Sequence, residues 1–183
     1  SCSRRLFNTQ KQIHTPADVE GMKLRVMNTD LYVQMVDQLG GNATPMAYGE
    51  VYQSLQTGVI DGAENNYPSY ESSNHYEVAK YYSITNHLIL PECLCVAESV
   101  WSDVSDEDKA AIRGAAMEAA QLQRQLWAER EAKSLEVVTA AGSMVNEVDD
   151  PAAFQAAMEP IYANFISAHP DLETLIKDIQ ATE

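Results

Sequence analysis

The sequence predicts an α/β fold whose sheet is at least partly parallel. Short apolar runs alternate along the chain with segments in which apolar residues recur every four positions, and this alternation is typical of strands joined by helices. The chain of 183 residues is long enough to bury the core of one domain. We expect the elements to be organised around the stretch from Thr44 to Asn66.

That central stretch combines a helix, a turn and a strand. A helix is expected over 48–57, because Val51 and Leu55 lie one helical turn apart, and Gly58 ends it. A short buried strand is expected over 59–63, and its closing glycine and alanine are small enough for another group to approach the backbone. Three polar residues then follow the carboxyl end of this strand, namely Glu64, Asn65 and Asn66.

The chain before this stretch is expected to contribute three strands and two helices. Thr15 and Pro16 form a helix-start pattern, and apolar residues spaced four apart indicate a second helix that two glycines end. The expected elements are an extended strand over 4–11, a short helix from Thr15 to Gly21, a strand over 22–27, a helix over 31–39 and a strand over 42–46.

The chain after the central stretch is expected to form a tyrosine-rich helix over 70–82. The apolar face of this helix consists of Tyr76, Val78 and Tyr82. Two extended runs, over 83–87 and 88–97, are then expected on either side of Pro91.

The longest expected element is a helix from Ser105 to Ala141. Ser105 and Asp108 form a variant of the capping box, and Gly114 is the one glycine inside the helix. At ~1.5 Å per residue it would be about 54 Å long, which exceeds the width of a small lobe. Its apolar stripe consists of Ile112, Ala116, Ala119, Leu122 and Leu126. One stripe without sustained heptads favours a helix that braces two lobes over a coiled coil.

The C-terminal part is expected to form a strand over 144–148 and two helices. The first helix is expected over 152–168 after an acidic cap and Pro151, and the second over about 171–180 after Pro170. The inward side chains of the first helix are expected to be Phe154, Met158, Ile161 and Phe165.

Charge and composition exclude several classes of function. The chain has 12 Lys and Arg against 27 Asp and Glu, which argues against nucleic acid and anionic membranes as partners. No apolar run has the length of a membrane helix, so no membrane insertion is expected. Scattered histidines and the spacing of the cysteines predict no metal and no cofactor. Cys2, Cys93 and Cys95 are expected to be buried free thiols, and His87 a structural hydrogen-bonding residue.

A second polar group lies near the end of the strand expected over 22–27. Arg25 and Asn28 are close to its carboxyl end, as Asn65 is to the end of the central strand, and ligands of open α/β sheets bind outside such ends. A guanidinium fork suits a carboxylate, and amides both donate to and accept from hydroxyls. Two plainer interpretations stay open: an exposed or locally paired Arg25, and a simple turn at Asn65 and Asn66.

The central stretch also carries a long motif. GEVYQSLQTGVIDGAEN, preceded by KLRV and followed by YEVAKYY and TNH, resembles the DctP-type solute-binding proteins of TRAP transporters, and the resemblance extends from about Arg5 to the C-terminus. It implies a fold like the type II periplasmic binding proteins, with two α/β lobes, crossing strands and a long helix that spans the lobes. Members are longer than this chain, so the resemblance also implies that mainly the second lobe is present.

The resemblance further implies a division of the chain and a biological setting. Residues 1–90 would form the second lobe with a crossing strand, residues 91–130 a hinge strand and the long helix returning to the first lobe, and residues 131–183 a C-terminal strand and helices that pack on the second lobe. The protein would not be an enzyme. It would capture a small organic acid in the periplasm and deliver it to the membrane subunits of a TRAP transporter.

The resemblance also assigns site residues. Arg25 matches the arginine that forms a two-pronged salt bridge to the ligand carboxylate, and Asn65 matches the ligand-contacting asparagine. Arg5, twenty residues before Arg25, has the spacing expected of a second ligand arginine, although its neighbour Arg4 is an alternative. The further ligand-binding candidates are Asn28, Tyr48, Glu64 and Asn66. No catalytic residue and no metal ligand is assigned.

Two of these candidates have alternative roles. Glu64 is expected either to orient Arg25 or to accept hydrogen bonds from ligand hydroxyls. Tyr48 is expected either to lie against the ligand or to be a ring of the core.

The asparagines favour a hexuronate as the ligand. Asn28, Asn65 and Asn66 supply more amides than a C4-dicarboxylate needs, and RVMN with ENNYPSY is similar to the members that bind hexuronates. Glucuronate or galacturonate is therefore predicted, with a C4-dicarboxylate, sialic acid or another sugar acid as alternatives. A sugar-acid hydrolase using Asp61 and Glu64 is the alternative from another class, but no nucleophile and base pair is evident.

Overall fold

The computed structural model describes residues 2–182 and places six strands of that range in one sheet. The strands are β1 (Cys2–Asn8), β2 (Lys23–Val26), β3 (Asn42–Pro45), β4 (Gly62–Asn65), β5 (Tyr81–Leu90) and β6 (Met144–Glu147). Their order across the sheet is β3-β2-β4-β1-β5-β6. β1 is antiparallel to β4 and β5, whereas β2–β3, β2–β4 and β5–β6 are parallel, so the prediction of a partly parallel α/β sheet is confirmed.

Helices cover both faces of this sheet. The α-helices within the described range are α1 (Asp30–Gln38), α2 (Val51–Thr57), α3 (Tyr67–Ser72), α4 (His75–Val78), α5 (Glu98–Trp101), α6 (Asp106–Ala140), α7 (Pro151–Ala157), α8 (Glu159–Ala168) and α9 (Glu173–Gln180). Single 3₁₀ turns occupy Pro16–Val19, Tyr48–Glu50 and Pro170–Leu172. None of the helices between residues 2 and 182 combines the length and apolarity needed to cross a bilayer.

The pleat of the sheet separates the core into two layers, because successive strand residues point to opposite faces. One layer, the aliphatic face, contains Leu6, Leu24 and Val26 together with buried residues of α1, α7 and α8. The other layer, the aromatic face, contains Phe7, Ala63, Tyr70 and Tyr82 together with Val51 and Leu55 of α2 and Val138 of α6. Each polar strand residue is therefore assigned to a face by its position in the alternation.

The long helix α6 contacts the aromatic face by its C-terminal end. The expected cap is confirmed, because the Ser105 hydroxyl accepts a hydrogen bond from the Asp108 N–H at 3.1 Å. Ser134 and Val138 are fully buried in the last turns. In contrast, the expected apolar stripe is largely solvent-exposed within the described structure, since Ile112 and Leu122 are 47% and 56% exposed.

The central strand begins later than predicted. Val59 is 55% exposed and lies outside the sheet, and the strand comprises residues 62–65. The reason is a turn at Asp61, whose N–H donates to the Lys23 carbonyl at 2.8 Å while its carboxylate accepts from the Lys23 N–H at 2.8 Å. Glu64 and Asn65 are therefore strand residues, and they point to opposite faces.

The predicted tyrosine-rich helix over 70–82 is wrong in its extent. Two short helices replace it, separated at Asn74, whose left-handed backbone (φ 56°) cannot continue a helix. Tyr82 belongs to β5, where its buried ring stacks on Tyr67 with the ring centroids 4.6 Å apart. The packing of aromatic rings across the sheet therefore determines the secondary structure of this region.

The two extended runs predicted around Pro91 are also wrong. β5 is one strand from Tyr81 to Leu90, and residues 91–97 form neither helix nor strand and are fully on the surface. Cys93 and Cys95 in that segment are exposed free cysteines, contrary to the expectation of buried thiols. The side chain of Cys2 lies outside the part of the chain that the structure describes.

The helix predicted over 152–168 is divided into α7 and α8. The break lies at Met158, two residues before Pro160, whose missing N–H is tolerated in the first turn of a new helix. Phe154 and Ile161 are buried as expected, whereas Phe165 is 43% exposed.

Candidate functional site

Strand register brings Arg25, Asn65 and Arg5 to one side of the sheet. Arg25 of β2 is paired with Ala63 of β4, and Asn65 lies two residues further along β4 and therefore on the same face. Arg5 of β1 is paired directly with Asn65. The three side chains thus form a row across neighbouring strands on the aromatic face, near the carboxyl ends of β2 and β4.

Arg25 is buried and its guanidinium is partly fixed by the backbone. Its side chain donates from Nε and Nη2 to the Met46 carbonyl oxygen at 3.0 and 2.8 Å, and Arg25 is 4% exposed. Among residues 2–182, no carboxylate lies within ion-pair distance of it. Both plainer interpretations of Arg25, exposure and a local acidic partner, are therefore wrong.

The environment of Arg25 lowers its proton affinity. Burial, together with the nearby charge of Arg4, holds the pKa of Arg25 below its ordinary value, although Glu64 acts in the opposite direction. An arginine keeps its proton at neutral pH under such a shift, because its ordinary pKa lies far above neutrality. The site therefore contains a buried cation that a ligand anion could neutralise.

Tyr48 lies between Arg25 and Asn65. The Arg25 guanidinium carbon is 5.6 Å from the centre of the Tyr48 ring, and the Tyr48 hydroxyl accepts from Asn65 Nδ2 at 3.5 Å. The hydroxyl also shares a 2.8 Å hydrogen bond with Ser73. Because Tyr48 is 41% exposed, it is not a ring of the core.

The two adjacent asparagines have different environments. The side-chain oxygen of Asn65 accepts from the Asn66 N–H at 2.9 Å, which leaves the Asn65 amide nitrogen directed toward Tyr48. Asn66 is the N-cap of α3, because its side-chain oxygen accepts from the Ser69 N–H at 2.9 Å. The plainer interpretation of a structural turn thus describes Asn66, and a ligand contact by Asn66 stays a prediction.

Arg5 is held by several groups. Its Nε donates to Asn86 Oδ1 at 3.1 Å, and its Nη1 lies 3.3 Å from Glu131 Oε1 on α6. The guanidinium carbon is also 4.6 Å from the centre of the Tyr67 ring. Burial works to lower the pKa of Arg5, but the phenols of Tyr82 and Tyr67 and the Glu131 carboxylate hold it above its ordinary value.

Glu64 belongs to the opposite face, and the prediction that it orients Arg25 is wrong. Its carboxylate forms a buried ion pair with Arg4, which donates from Nε to Oε2 and from Nη2 to Oε1 at 2.8 Å. His87 Nε2 lies 3.8 Å from the same carboxylate. Burial works to raise the pKa of Glu64, but the hydrogen bonds and charge of Arg4 hold it below its ordinary value.

This ion pair bears on two other sequence-based alternatives. Arg4 is paired with Glu64, whereas Arg5 is on the same face as Arg25, and the role of Arg5 as a second ligand arginine stays a prediction. The carboxylate pair proposed for a hydrolase is not available, because Glu64 is bound to Arg4 and Asp61 to the Lys23 backbone. His87 has the expected structural role, since its Nδ1 hydrogen-bonds the Thr85 hydroxyl at 2.7 Å.

Asn28 lies beside an open concavity of about 470 Å³. This concavity is lined by Arg25, Met27, Asn28, Pro45, Met46 and Ala47. Asn28 is exposed and follows the end of β2, as the sequence predicted. Asn65 is outside the lining of this concavity, so Tyr48 is the contact that joins the two parts of the site.

A second concavity has the wrong chemistry for an acid. It has a volume of about 250 Å³ and lies between α1, α8, α9 and β5, against the aliphatic face. Its lining is Leu31, Met35, His87, Leu88, Met158, Ile161, Tyr162, Phe165 and Ile176. Most of this lining is apolar and it has no arginine, so it lacks the guanidinium fork that suits a carboxylate.

Two contacts at this site were missed by the sequence analysis. The Met46 carbonyl holds one edge of Arg25, and Glu131 is paired with Arg5. A backbone carbonyl has no signature in the sequence. Glu131 is separated from Arg5 by 126 positions and lies on a helix rich in exposed acids, so no local pattern distinguishes it.

Comparison with known proteins gives consistent matches over most of the chain. The model of a family described as bacterial extracellular solute-binding protein, family 7 (DctP), matches residues 2–168. A solute-binding protein of Chromohalobacter salexigens is 64% identical over 180 residues, which cover 98% of this chain and 54% of that protein. The chain spans about half the length of the curated relatives it matches.

Solved structures match the fold as well. A TRAP periplasmic solute binding protein from Chromohalobacter salexigens with bound D-glucuronate has a TM-score of 0.95 at 65% identity, over 97% of this chain and 59% of that chain. A TRAP periplasmic solute binding protein from a Sulfitobacter species with bound β-D-galacturonate has a TM-score of 0.91 at 52% identity, over 95% of this chain and 58% of that chain.

Proposed function

Because the chain belongs to family 7 of the bacterial extracellular solute-binding proteins, the DctP family, we propose that it binds the carboxylate of a hexuronate such as D-glucuronate or D-galacturonate. The observation that carries the proposal is Arg25, a buried guanidinium without a carboxylate partner in the described chain. The glucuronate and galacturonate bound by the two similar structures support the choice of ligand.

The free edge of Arg25 has the geometry for a two-pronged contact. A guanidinium has five N–H donors, and the Met46 carbonyl accepts from Nε and from one N–H of Nη2. The edge formed by Nη1 and the second N–H of Nη2 can donate two parallel hydrogen bonds to one carboxylate. The Met46 carbonyl thus fixes the direction of the fork before the ligand arrives.

The neighbouring polar groups suit the hydroxyls of a sugar ring. Asn65 and Asn28 supply amides that donate and accept, and Arg5 supplies further N–H donors two strands away from Arg25. Tyr48 offers a half-exposed ring face beside Arg25. Glu64 is left out of the proposed ligand contacts, because Arg4 occupies its carboxylate on the other face.

Binding without turnover is part of the proposal. The family is one of solute-binding proteins, and hydrolysis of a glycosidic bond would need two carboxyls about 5–9.5 Å apart that flank that bond. Within residues 2–182, the two carboxylates considered for that role are each committed to other groups. Incubation of the protein with a glycoside of glucuronate should therefore leave the compound intact.

For the whole protein we propose the setting of its family. It would work outside the cytoplasm and pass its ligand to the membrane subunits of a TRAP transporter. Residues 1–90 would form one wall of the binding cleft, residues 91–130 would lead to a facing lobe, and residues 131–183 would pack back on the first wall. Closure of the lobes would remove water from the Arg25 ion pair and strengthen it.

A thermal-shift panel on the full-length protein tests the ligand class. The compounds are D-glucuronate, D-galacturonate, glucose, succinate and sialate. A ligand at about 100 times its Kd adds ~2.7 kcal/mol of stability, so a uronate should raise the midpoint clearly while glucose leaves it unchanged. A shift with succinate or sialate but not with the uronates would replace the hexuronate by one of the alternative acids, and no shift at all would contradict the proposal.

A further inference from the structure

The two arginines of the site differ in their charge balance. Arg5 has an internal carboxylate partner, because Glu131 Oε1 lies 3.3 Å from its Nη1, and both side chains are largely shielded at 14% and 27% exposure. Arg25 has no such partner in the described part of the chain. Together the two arginines and Glu131 therefore carry one net positive charge, located at Arg25.

The Arg5–Glu131 pair is a fixed arrangement. Asn86 and the Tyr67 ring hold the guanidinium of Arg5 in place. Glu131 lies in the part of α6 that is attached to the aromatic face, next to Arg130, whose Nη1 is 2.6 Å from Glu71 of α3. This ion pair therefore costs less side-chain entropy to form than a pair between mobile surface groups.

The register of the sheet separates the two arginines by a distance that suits the two ends of a sugar acid. Arg25 and Arg5 lie two strands and two residues apart, which corresponds to about 10–12 Å between their Cα atoms. Long side chains can converge from that distance on opposite ends of one small ligand. A ligand with its carboxylate on Arg25 would present its other end to Arg5.

We propose that Glu131 is a specificity-determining residue that restricts the ligand to a single carboxylate, an inference that rests on the proposed function. A uronate has a carboxylate at one end and a neutral hydroxyl at the other, and a neutralised Arg5 still donates N–H groups to that hydroxyl. An aldarate, the same carbon chain oxidised to a carboxylate at both ends, brings a second negative charge to Glu131. Two carboxylates that contact the same guanidinium repel each other strongly in a partly buried site.

The test compares uronates with the aldarates of the same stereochemistry. Calorimetric titration of the full-length protein with D-glucuronate and D-glucarate, and with D-galacturonate and galactarate, gives a uronate-to-aldarate affinity ratio for each variant. Glu131→Gln keeps the shape of the side chain and removes its charge. We expect it to reduce the ratio at least about tenfold, chiefly through tighter aldarate binding, because Arg5 then becomes a second unbalanced cation.

A charge-matched control comes from the same helix. Glu136 is exposed and pairs with Lys133 at 3.1 Å, away from Arg5, so Glu136→Gln should leave the ratio unchanged. An unchanged ratio in Glu131→Gln, or an equal loss of affinity for both ligand classes, would overturn the inference, because either result indicates a purely structural role. Failure of the unaltered protein to bind any uronate would instead overturn the proposed function, and this inference with it.

Discussion

Arg4 forms a buried ion pair with Glu64 on the face of the sheet opposite to Arg25, with Nη2 and Oε1 2.8 Å apart. The neighbouring Arg5 points to the aromatic face, because successive residues of a strand alternate in direction. Of these two adjacent arginines, only Arg5 therefore shares the face of Arg25. The ion pair neutralises a cation and an anion that the core would otherwise hold singly.

Removal of one partner of that ion pair should be costly. Glu64→Gln removes the carboxylate that is paired with the buried Arg4 guanidinium, so we expect the free energy of unfolding to fall by about 3–5 kcal/mol. Urea denaturation of the full-length protein measures this. Glu136→Gln, which removes an exposed acid, should change the same quantity by less than about 1 kcal/mol. Equal effects of the two substitutions would show that the buried pair has no special role in stability.

His75 should make stability depend on pH in the acidic range. Burial, with a contribution from the charge of Arg25, lowers the pKa of His75 from 6.5 to about 4. Between these values the unfolded chain binds a proton that the folded chain does not, so the free energy of unfolding falls as pH falls from 6.5 to 4. The slope from this residue is at most about 1.4 kcal/mol per pH unit.

The His75 contribution can be isolated with a variant that has no titrating group there. His75→Phe places another ring beside Phe7, whose ring centroid is 5.4 Å from that of His75. Urea titrations of both proteins from pH 7 to pH 4 should show the difference in free energy of unfolding moving steadily in favour of the variant. Parallel curves over that range would contradict the lowered pKa.

The ring of Tyr48 should contribute more to ligand binding than its hydroxyl. Tyr48→Ala removes the ring face beside Arg25 and should weaken hexuronate binding about three- to tenfold, whereas Tyr48→Phe keeps the ring and should stay within about twofold. Calorimetric titration with D-glucuronate measures both. An equal loss in the two variants would assign the effect to the hydroxyl and its contacts with Asn65 and Ser73.

Gly62 should not tolerate a side chain. A Cβ at this position would lie 2.5 Å from the Phe7 carbonyl oxygen and 2.9 Å from Leu24 Cδ2, so Gly62→Ala forces β1 and β4 apart. We expect a loss of about 1–3 kcal/mol in the free energy of unfolding. Gly49→Ala, where nothing lies within 4 Å, is the matched control in denaturation experiments. A Gly62→Ala variant as stable as the control would contradict this packing.

The sequence predicts that Arg25 and Asn65 lie together at one edge of the sheet because two regularities combine, whereas Arg5 is assigned only by the family resemblance. Apolar runs locate the strands, and carboxyl ends of parallel strands meet at one edge of a sheet. The small residues at 62–63 also predict a close approach, and β1 supplies it at Gly62. These inferences need only the local composition and the alternation of strand side chains between the two faces of a sheet.

The role of Glu64 was not predictable from the strand that the sequence indicates. With the strand placed at 59–63, Glu64 and Asn65 both follow its end and can share a pocket. Once the turn at Asp61 shifts the strand to 62–65, the same two residues alternate between faces. An error of about three residues in one boundary therefore moves a carboxylate from the site to the core.

Contacts between distant segments were beyond the reach of local patterns. The Arg5–Glu131 pair depends on how the last turns of α6 pack against the sheet, and the packing of Tyr82 on Tyr67 depends on the register of β5. Tertiary packing of this kind overrides helical propensity at 70–82. The overall architecture was indicated by the family resemblance, because local patterns do not contain that information.

The most direct test of the account is calorimetric titration of D-glucuronate into the full-length protein and its Arg25→Ala variant. The buried fork of Arg25 should be the main attachment of the carboxylate, so the variant should lose ~3–5 kcal/mol of binding free energy, and Arg25→Lys should also lose affinity because an ammonium cannot donate two parallel bonds. Lys177→Ala, an exposed cation on α9, should bind as the unaltered protein does. Affinity retained within about threefold in Arg25→Ala would contradict the central claim.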